Sequence, residues 1–216
     1  SHHYLDVLGH SFVAAQAIKP ELSLRLAALL HDVAKPVTKT HDETGCHFYQ
    51  HSEIGANMAQ EILSRLTFSK KIQNKVHTLV THHMFQIHPH STDKAIRRFI
   101  AKVGVENIFD LIELRKADVL AMKNNPRVVW DWYQQMLYRI NHVLAEESAF
   151  TLKDLNVTGL DLTSELQLSP GPIVGQLLNH LLELVIDNPE LNQREKLLEQ
   201  AKLYLVQHHL IDLRNT

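Results

Sequence analysis

Apolar positions recur at helical spacing along nearly the whole chain, and that pattern predicts its elements. Leu5, Leu8, Phe12 and Ala15 mark a first helix. Leu22, Leu26, Leu29 and Leu30 mark a second, opened by Pro20 and Glu21 as helix N-termini favour. The second runs into His31 and Asp32, and Pro36 is expected to stop it. A polar stretch over 38–50, carrying His41, Gly45 and His47, reads as a long loop close to the chemistry. Helices are predicted again over 51–66, 69–83, 92–103 and 106–123. Asn125 and Pro126 then punctuate the chain before a long helix over about 127–147. No alternating pattern of useful length suggests strands, so the expected fold is all-α. Past Phe150 the character changes: 155–159 is a short irregular connection, Ser169 to Pro172 a Pro-Gly-Pro turn, and 173–186 an amphipathic helix. Asn188 and Pro189 break that helix, and a last one covers about 194–207. A boundary is expected near residue 150, between a larger helical bundle (1–150) and a small helical tail domain (151–216).

Composition narrows the possibilities. With 216 residues, 44% hydrophobic and 21% charged, the chain is large enough to bury a full core. Seven Pro and seven Gly leave no low-complexity linker, and no repeat is visible, which excludes fibres and arrays. No apolar run approaches the ~20 residues of a spanning helix, so no membrane partner is expected. The opening SHHYLDVLGH lacks the basic-then-apolar layout of a signal peptide. The single cysteine, Cys46, makes neither an internal disulfide nor a thiolate metal cage, so a cytoplasmic location is expected. The net charge of −2 conceals a basic middle: Arg65 to Arg127 holds twelve Lys/Arg against five Asp/Glu. Lys70, Lys71, Lys75, Lys94, Arg97, Arg98, Lys102, Arg115 and Lys116 either form a phosphate-attracting surface or are ordinary solvated helix faces.

Histidine changes the picture most. There are 16, and twelve lie at or before His90. Ser1, His2 and His3 could belong to a tag, but that touches only two of them. Neutral imidazole is the commonest metal ligand, so the enrichment points to chemistry. The strongest local signal is His31-Asp32 at the end of an apolar helix, with Lys35 one turn on. Neighbours on a helix point about 100° apart, so both reach one ion only from a helix end or a distorted turn. Companions are His3, His51, His82, His83 and Asp118. Asp118 lies beside the apolar stripe Leu111, Leu114, Ala117 and Ala121, and a buried carboxylate there needs a metal, a cation or several donors. A plain salt bridge to Arg115 is the competing reading.

In their order, His3, His31-Asp32 and Asp118 resemble the H…HD…D signature of the HD-domain metal-dependent phosphohydrolases, an all-helical superfamily. The resemblance sharpens to the HD region and tail of bacterial CCA-adding enzymes (tRNA nucleotidyltransferases) and poly(A) polymerases. LRLAALLHDVAKPVTKT looks like that family's HD helix, FYQHSEIGA like the segment after it, and LVTHHM like the next histidine-bearing helix. RRFIAKVG and LIELRKADVLA resemble the paired helices ending in the last aspartate, and LSPGPIVGQLL…NPELN resembles the tail. The resemblance implies His3, His31, Asp32 and Asp118 as ligands of one divalent ion. His51 and His83 fall where binuclear members place two further histidines, with His82 the register rival of His83. His10 is read as surface or core, and His41 and His47 are not taken as ligands.

The resemblance implies a metal-dependent phosphohydrolase acting on nucleotide or RNA-end phosphoesters, as a 2′,3′-cyclic phosphodiesterase, nucleotidase or phosphatase. Its cofactor would be one or two divalent ions (Ni, Mn, Co, Fe or Mg) that activate a water. Asp32 would contact metal and water, Lys35 or Arg97 would neutralise phosphate, and Lys94 and Arg98 would help bind substrate. Nucleotides, RNA ends and tRNA are the implied partners; DNA is not. No D-x-D pair and no glycine-rich phosphate loop occur in these residues, so CCA polymerisation is not expected of them. From a different class comes the alternative of an RNA-binding or structural module with a vestigial metal site. A nucleoside 5′-phosphate or alarmone hydrolase fits the ligands but not the tail.

Overall fold

The computed structural model describes residues 6–122, 125–146 and 149–208. Among these the chain is mostly helical, with one two-stranded sheet. In order run α1 (Val7–Ala17), α2 (Leu22–Leu30), α3 (Lys35–Thr38), β1 (Lys39–Asp42), β2 (Gly45–Phe48), α4 (His51–Arg65) and α5 (Lys70–His82). There follow α6 (Asp93–Val103), α7 (Ile108–Ala121), α8 (Pro126–Ala145), α9 (Gly159–Glu165), α10 (Pro172–Asp187) and α11 (Arg194–Gln207). No helix among the described residues is long and apolar enough to cross a membrane.

The chain divides into two units. The first holds the residues up to Pro89 together with Val103–Arg139, and the second holds His90–Lys102 and everything from Ile140 onward. The single cut expected near residue 150 differs from this. Helix α6 and the end of α8 pack with the tail, a spatial grouping that no composition shift along the chain records.

In the first unit α1 packs on α2 and α7, α2 also packs on α5 and α7, and α4 pairs with α5. The Asp6 carboxylate caps α1 by accepting from the Gly9 N–H at 2.7 Å. The face that α1 buries is not the one its apolar spacing suggests. Leu8 and Phe12 are 60% and 57% exposed, whereas His10, Ser11, Ala14 and Ile18 are buried. Small side chains on that face let the helix axes approach closely. Leu5 lies outside the described residues.

Two further expectations change around the HD dipeptide. Pro36 opens α3 instead of ending α2, because its missing N–H falls where a helix leaves N–H groups unpaired anyway. The polar stretch expected to be a loop contains an antiparallel hairpin, with Lys39 opposite Phe48 and Asp42 opposite Gly45. Its turn is set by the Asp42 carboxylate, which accepts from the Thr44 N–H at 2.8 Å, and by Gly45 at φ 127°. Strands of four mostly exposed residues carry no alternation to read.

Helix α7 is buried nearly all round, and its charges are satisfied internally. Lys116 donates to both Glu113 oxygens at 2.8 and 2.9 Å, and its ammonium lies over the Trp130 and Tyr133 rings of α8 at 4.7 and 4.4 Å. Burial pushes the Glu113 carboxyl up, but hydrogen bonds from Lys116 and Tyr133 outweigh it and leave the carboxyl below its ordinary value. The second unit has its own core of Leu162, Leu177, Leu181, Val185, Leu197 and Leu205. Thr158 and Asp161 form a reciprocal capping box on α9.

Removing the carboxylate of Glu113 strands a buried ammonium, so Glu113→Ala is expected to lower unfolding free energy by about 3 kcal/mol in a urea titration. Because the folded pKa of Glu113 is depressed, its contribution is complete above the unfolded carboxylate's pKa of roughly 4.3 and fades as pH falls through the folded value. A variant as stable as the parent at pH 7 would refute this account of α7.

Candidate metal centre

Several helix ends converge on one buried point of the first unit. His31 caps the C-terminus of α2, Asp32 follows it, His51 is the first residue of α4, and His83 caps the C-terminus of α5. His10 comes from the middle of α1 and Asp118 from α7. All six side chains are buried.

Three of the imidazoles are fixed by the same local device. The Nδ1 atom of His31 hydrogen-bonds the Ala28 carbonyl at 2.8 Å, that of His51 the Phe48 carbonyl at 2.7 Å, and that of His83 the Val80 carbonyl at 2.7 Å. Each acceptor lies three residues back. A carbonyl can only accept, so Nδ1 carries a proton, and in the neutral ring Nε2 is left with a lone pair. The Nε2 atoms meet in two pairs. Nε2 of His10 is 3.3 Å from Nε2 of His31, and Nε2 of His51 is 3.3 Å from Nε2 of His83.

Asp32 lies between the two histidine pairs. Its Oδ2 is 3.2 Å from His31 Nε2 and 3.8 Å from His10 Nε2, while its Oδ1 is 3.6 Å from His51 Nε2 and 3.8 Å from His83 Nε2. Asp118 completes the first side, with Oδ1 3.0 Å from His10 Nε2 and 3.6 Å from His31 Nε2. Two groups with metal-binding geometry follow, His10–His31–Asp32 and Asp32–His51–His83, the ligand atoms of each lying within 4.8 Å of one another.

The electrostatics suit a cation. Burial alone would raise the Asp32 carboxyl, but the neighbouring His31 and His83 imidazoles and the charges of His31 and Lys35 hold it far below the carboxylate range. Asp118 is likewise held down against burial, by His10, His31 and Arg115. Burial disfavours charge on His31, yet the Asp118 and Asp32 carboxylates raise its pKa to about 9. Burial and the neighbouring His83 hold His51 below its ordinary value. Lys35 Nζ lies 2.6 Å from Asp32 Oδ2, and Arg115 donates to Asp118 Oδ2 at 2.9 Å. The salt bridge weighed for Asp118 therefore exists alongside its contacts to the histidines. One atom is left over: Asp32 Oδ1 is buried with no hydrogen-bond partner. An orphaned anionic oxygen facing two imidazole lone pairs is a costly arrangement that a divalent ion relieves.

The structure thus brings together His31, Asp32, Lys35, His51, His83 and Asp118. His3 lies outside the described residues, and His10 occupies the place beside His31 and Asp118. Its signal was weak because Leu8 and Phe12 advertise a different face of α1. His82, next to buried His83, is half-exposed and belongs to neither group. The second unit holds Lys94, Arg97 and Arg98, and their charges are engaged there. Arg97 is buried, donating to the Ile186 carbonyl at 2.9 Å and to Glu146 at 3.0 Å. Arg98 and Lys94 both pair with Asp187, at 2.7 and 2.8 Å. These contacts hold the Arg97 guanidinium within the second unit.

Residues 38–201 match the sequence family described as tRNA nucleotidyltransferase domain 2. The chain belongs to that family. The matched span of tRNA nucleotidyltransferase domain 2 contains His51, His83 and Asp118 and begins just past His31 and Asp32. The CC-adding tRNA nucleotidyltransferase of Thermus thermophilus is 37% identical over 164 residues, covering 75% of this chain and 36% of that protein. The A-adding tRNA nucleotidyltransferase of Deinococcus radiodurans is 32% identical over 188 residues, covering 84% and 43%. The chain therefore spans less than half the length of these curated relatives. No solved structure matches it.

Elemental analysis of dialysed protein is expected to find two divalent ions per chain. Asp32→Ala, which touches both groups, should bring the count close to zero, whereas His10→Ala and His51→Ala should each lose one ion. An unchanged metal content in Asp32→Ala would show that the cluster is a hydrogen-bonded core and not a metal centre.

Proposed function

We propose that this member of the tRNA nucleotidyltransferase domain 2 family is a metal-dependent phosphohydrolase of nucleotide or RNA-end phosphoesters. The observation that carries the proposal is the Asp32 carboxylate, which faces His10 and His31 with one oxygen and His51 and His83 with the other. With His10 as the first histidine, the order His10, His31-Asp32, Asp118 follows the H…HD…D pattern of the HD-domain phosphohydrolases that the sequence resembles. Imidazole mixed with carboxylate, and no thiolate, suits Mn, Co, Ni, Fe or Mg.

A divalent ion held there supplies positive charge to phosphoryl oxygens and acidifies water toward hydroxide at neutral pH. The protein's own groups divide the remaining work. Asp32 and Asp118 stay ionised at any physiological pH, which makes them good ligands and poor general bases. His51 is neutral at pH 7 and keeps its Nε2 lone pair for a ligand bond or a proton. Lys35, 15% exposed in its side chain, anchors Asp32 and presents its ammonium to an incoming phosphate.

A second reading, an RNA-binding module with a vestigial metal site, is favoured by the relatives, both of which add nucleotides to tRNA by name. The basic middle of the chain lends this reading less support than its charge suggests. Lys75, Lys94, Arg97, Arg98, Arg115 and Lys116 all pair with carboxylates of the chain itself.

Hydrolysis of bis-p-nitrophenyl phosphate and 2′,3′-cyclic AMP, assayed after adding Ni, Mn, Co or Mg, separates the two. The phosphohydrolase reading expects metal-dependent turnover that falls at least about 10³-fold in Asp32→Ala with far-UV helicity retained. Metal-free protein that binds tRNA tightly while no ion elicits turnover would replace it with the module.

A further inference from the structure

A cavity of about 480 Å³ in the first unit shares a wall residue with the contacts of the candidate metal centre. Two residues tie it there. Phe85, in its wall, follows His83 by two positions, and Arg115, also in its wall, donates to Asp118 Oδ2 at 2.9 Å. The body of the cavity is apolar, formed by Ile87, Val119, Val128, Val129 and the rings of Phe85 and Trp132. Those two rings stand 6.5 Å apart, within 23° of parallel. Gln86 and Asn125 add polar atoms that can read a ring edge. Apolar walls with a few placed polar groups are the usual build of a small-molecule site.

We propose that this cavity is the nucleobase subsite of the metal centre. A nucleotide seats its base on the Phe85 and Trp132 rings, and Arg115 directs its phosphate toward the side of the cluster held by Asp118. Flat aromatic faces favour a planar ring and accept any base, so the subsite selects nucleotides as a class. A guanidinium has five donors, and the Asp118 bond commits only one of its nitrogens, which leaves Arg115 able to hold an anion as well. An acyl chain or an apolar peptide would fill the same walls but would find no use for the cation between them and the carboxylates. The phosphate's position rests on the phosphohydrolase reading; the seat of the base can be tested without it.

The chain has two tryptophans, so Trp130→Phe leaves Trp132 as the only indole emitter. In metal-free protein of that variant, AMP is expected to quench Trp132 emission saturably, whereas ribose 5-phosphate at equal concentration leaves it unchanged. With metal restored, Trp132→Leu should raise KM for 2′,3′-cyclic AMP about tenfold or more, with kcat within about twofold. It should leave a base-free ribose 2′,3′-cyclic phosphate unaffected. Equal responses to AMP and ribose 5-phosphate, or equal KM changes for the two cyclic phosphates, would overturn the subsite. Absence of turnover with every ion would sink the phosphohydrolase reading alone, and the AMP titration would still decide the cavity.

Discussion

The structure around the site depends on a single buried carboxylate. Asp32 is 2% exposed and ionised, and an ionised carboxylate out of water costs several kcal/mol unless it is matched by partners. Lys35 and His31 match one oxygen, at 2.6 and 3.2 Å. The other has two imidazoles in view and no hydrogen bond. A fold that spent this much desolvation on a merely structural aspartate would be expected to satisfy both oxygens, as it does for Glu113 with Lys116. The contrast between these two buried carboxylates, one fully paired and one left half open, separates scaffold from site.

The same economy of means sets the ligands. A helix leaves its last carbonyls without intrahelical partners, and a histidine at the C-cap reaches back three residues to take one. His31 and His83 both do so, from the ends of α2 and α5. His51 reaches the Phe48 carbonyl at the end of β2. One interaction thus satisfies an orphan acceptor, fixes the tautomer and aims Nε2 inward, as ligand-supporting hydrogen bonds do in metal sites. This makes a tie between packing and chemistry: the register of each element end determines where a nitrogen lone pair points.

That tie also explains what was legible in the sequence. Helical periodicity gave most of the helices, and the order of His31, Asp32, His51, His83 and Asp118 along the chain gave most of the cluster. His10 was hidden because Leu8 and Phe12 outweigh Ser11 and Ala14 in any hydrophobic pattern, yet it is the small residues that α1 buries. The hairpin was hidden because strands of four mostly exposed residues leave no alternation. Charge counting left two readings of the basic middle open. Lys116 pairs with Glu113 one helical turn away, whereas Arg97 and Arg98 pair with Glu146 and Asp187, partners that sequence distance does not reveal.

Charge balance then indicates what kind of ligand the centre seeks. Asp32 and Asp118 are offset by Lys35 and Arg115, and an imidazole that coordinates is neutral. With its imidazoles neutral as ligands, the protein frame would be near neutrality, and the double charge of a divalent ion held there would be left almost whole for whatever arrives from outside. In a buried site such a charge is poorly screened, so an anion is favoured over a neutral molecule of the same shape. A site with more carboxylates would have neutralised its metal and kept it as a structural staple. One built from four imidazoles and two already-paired carboxylates would keep a bound ion electrophilic, which is the condition that the proposed phosphoester chemistry requires.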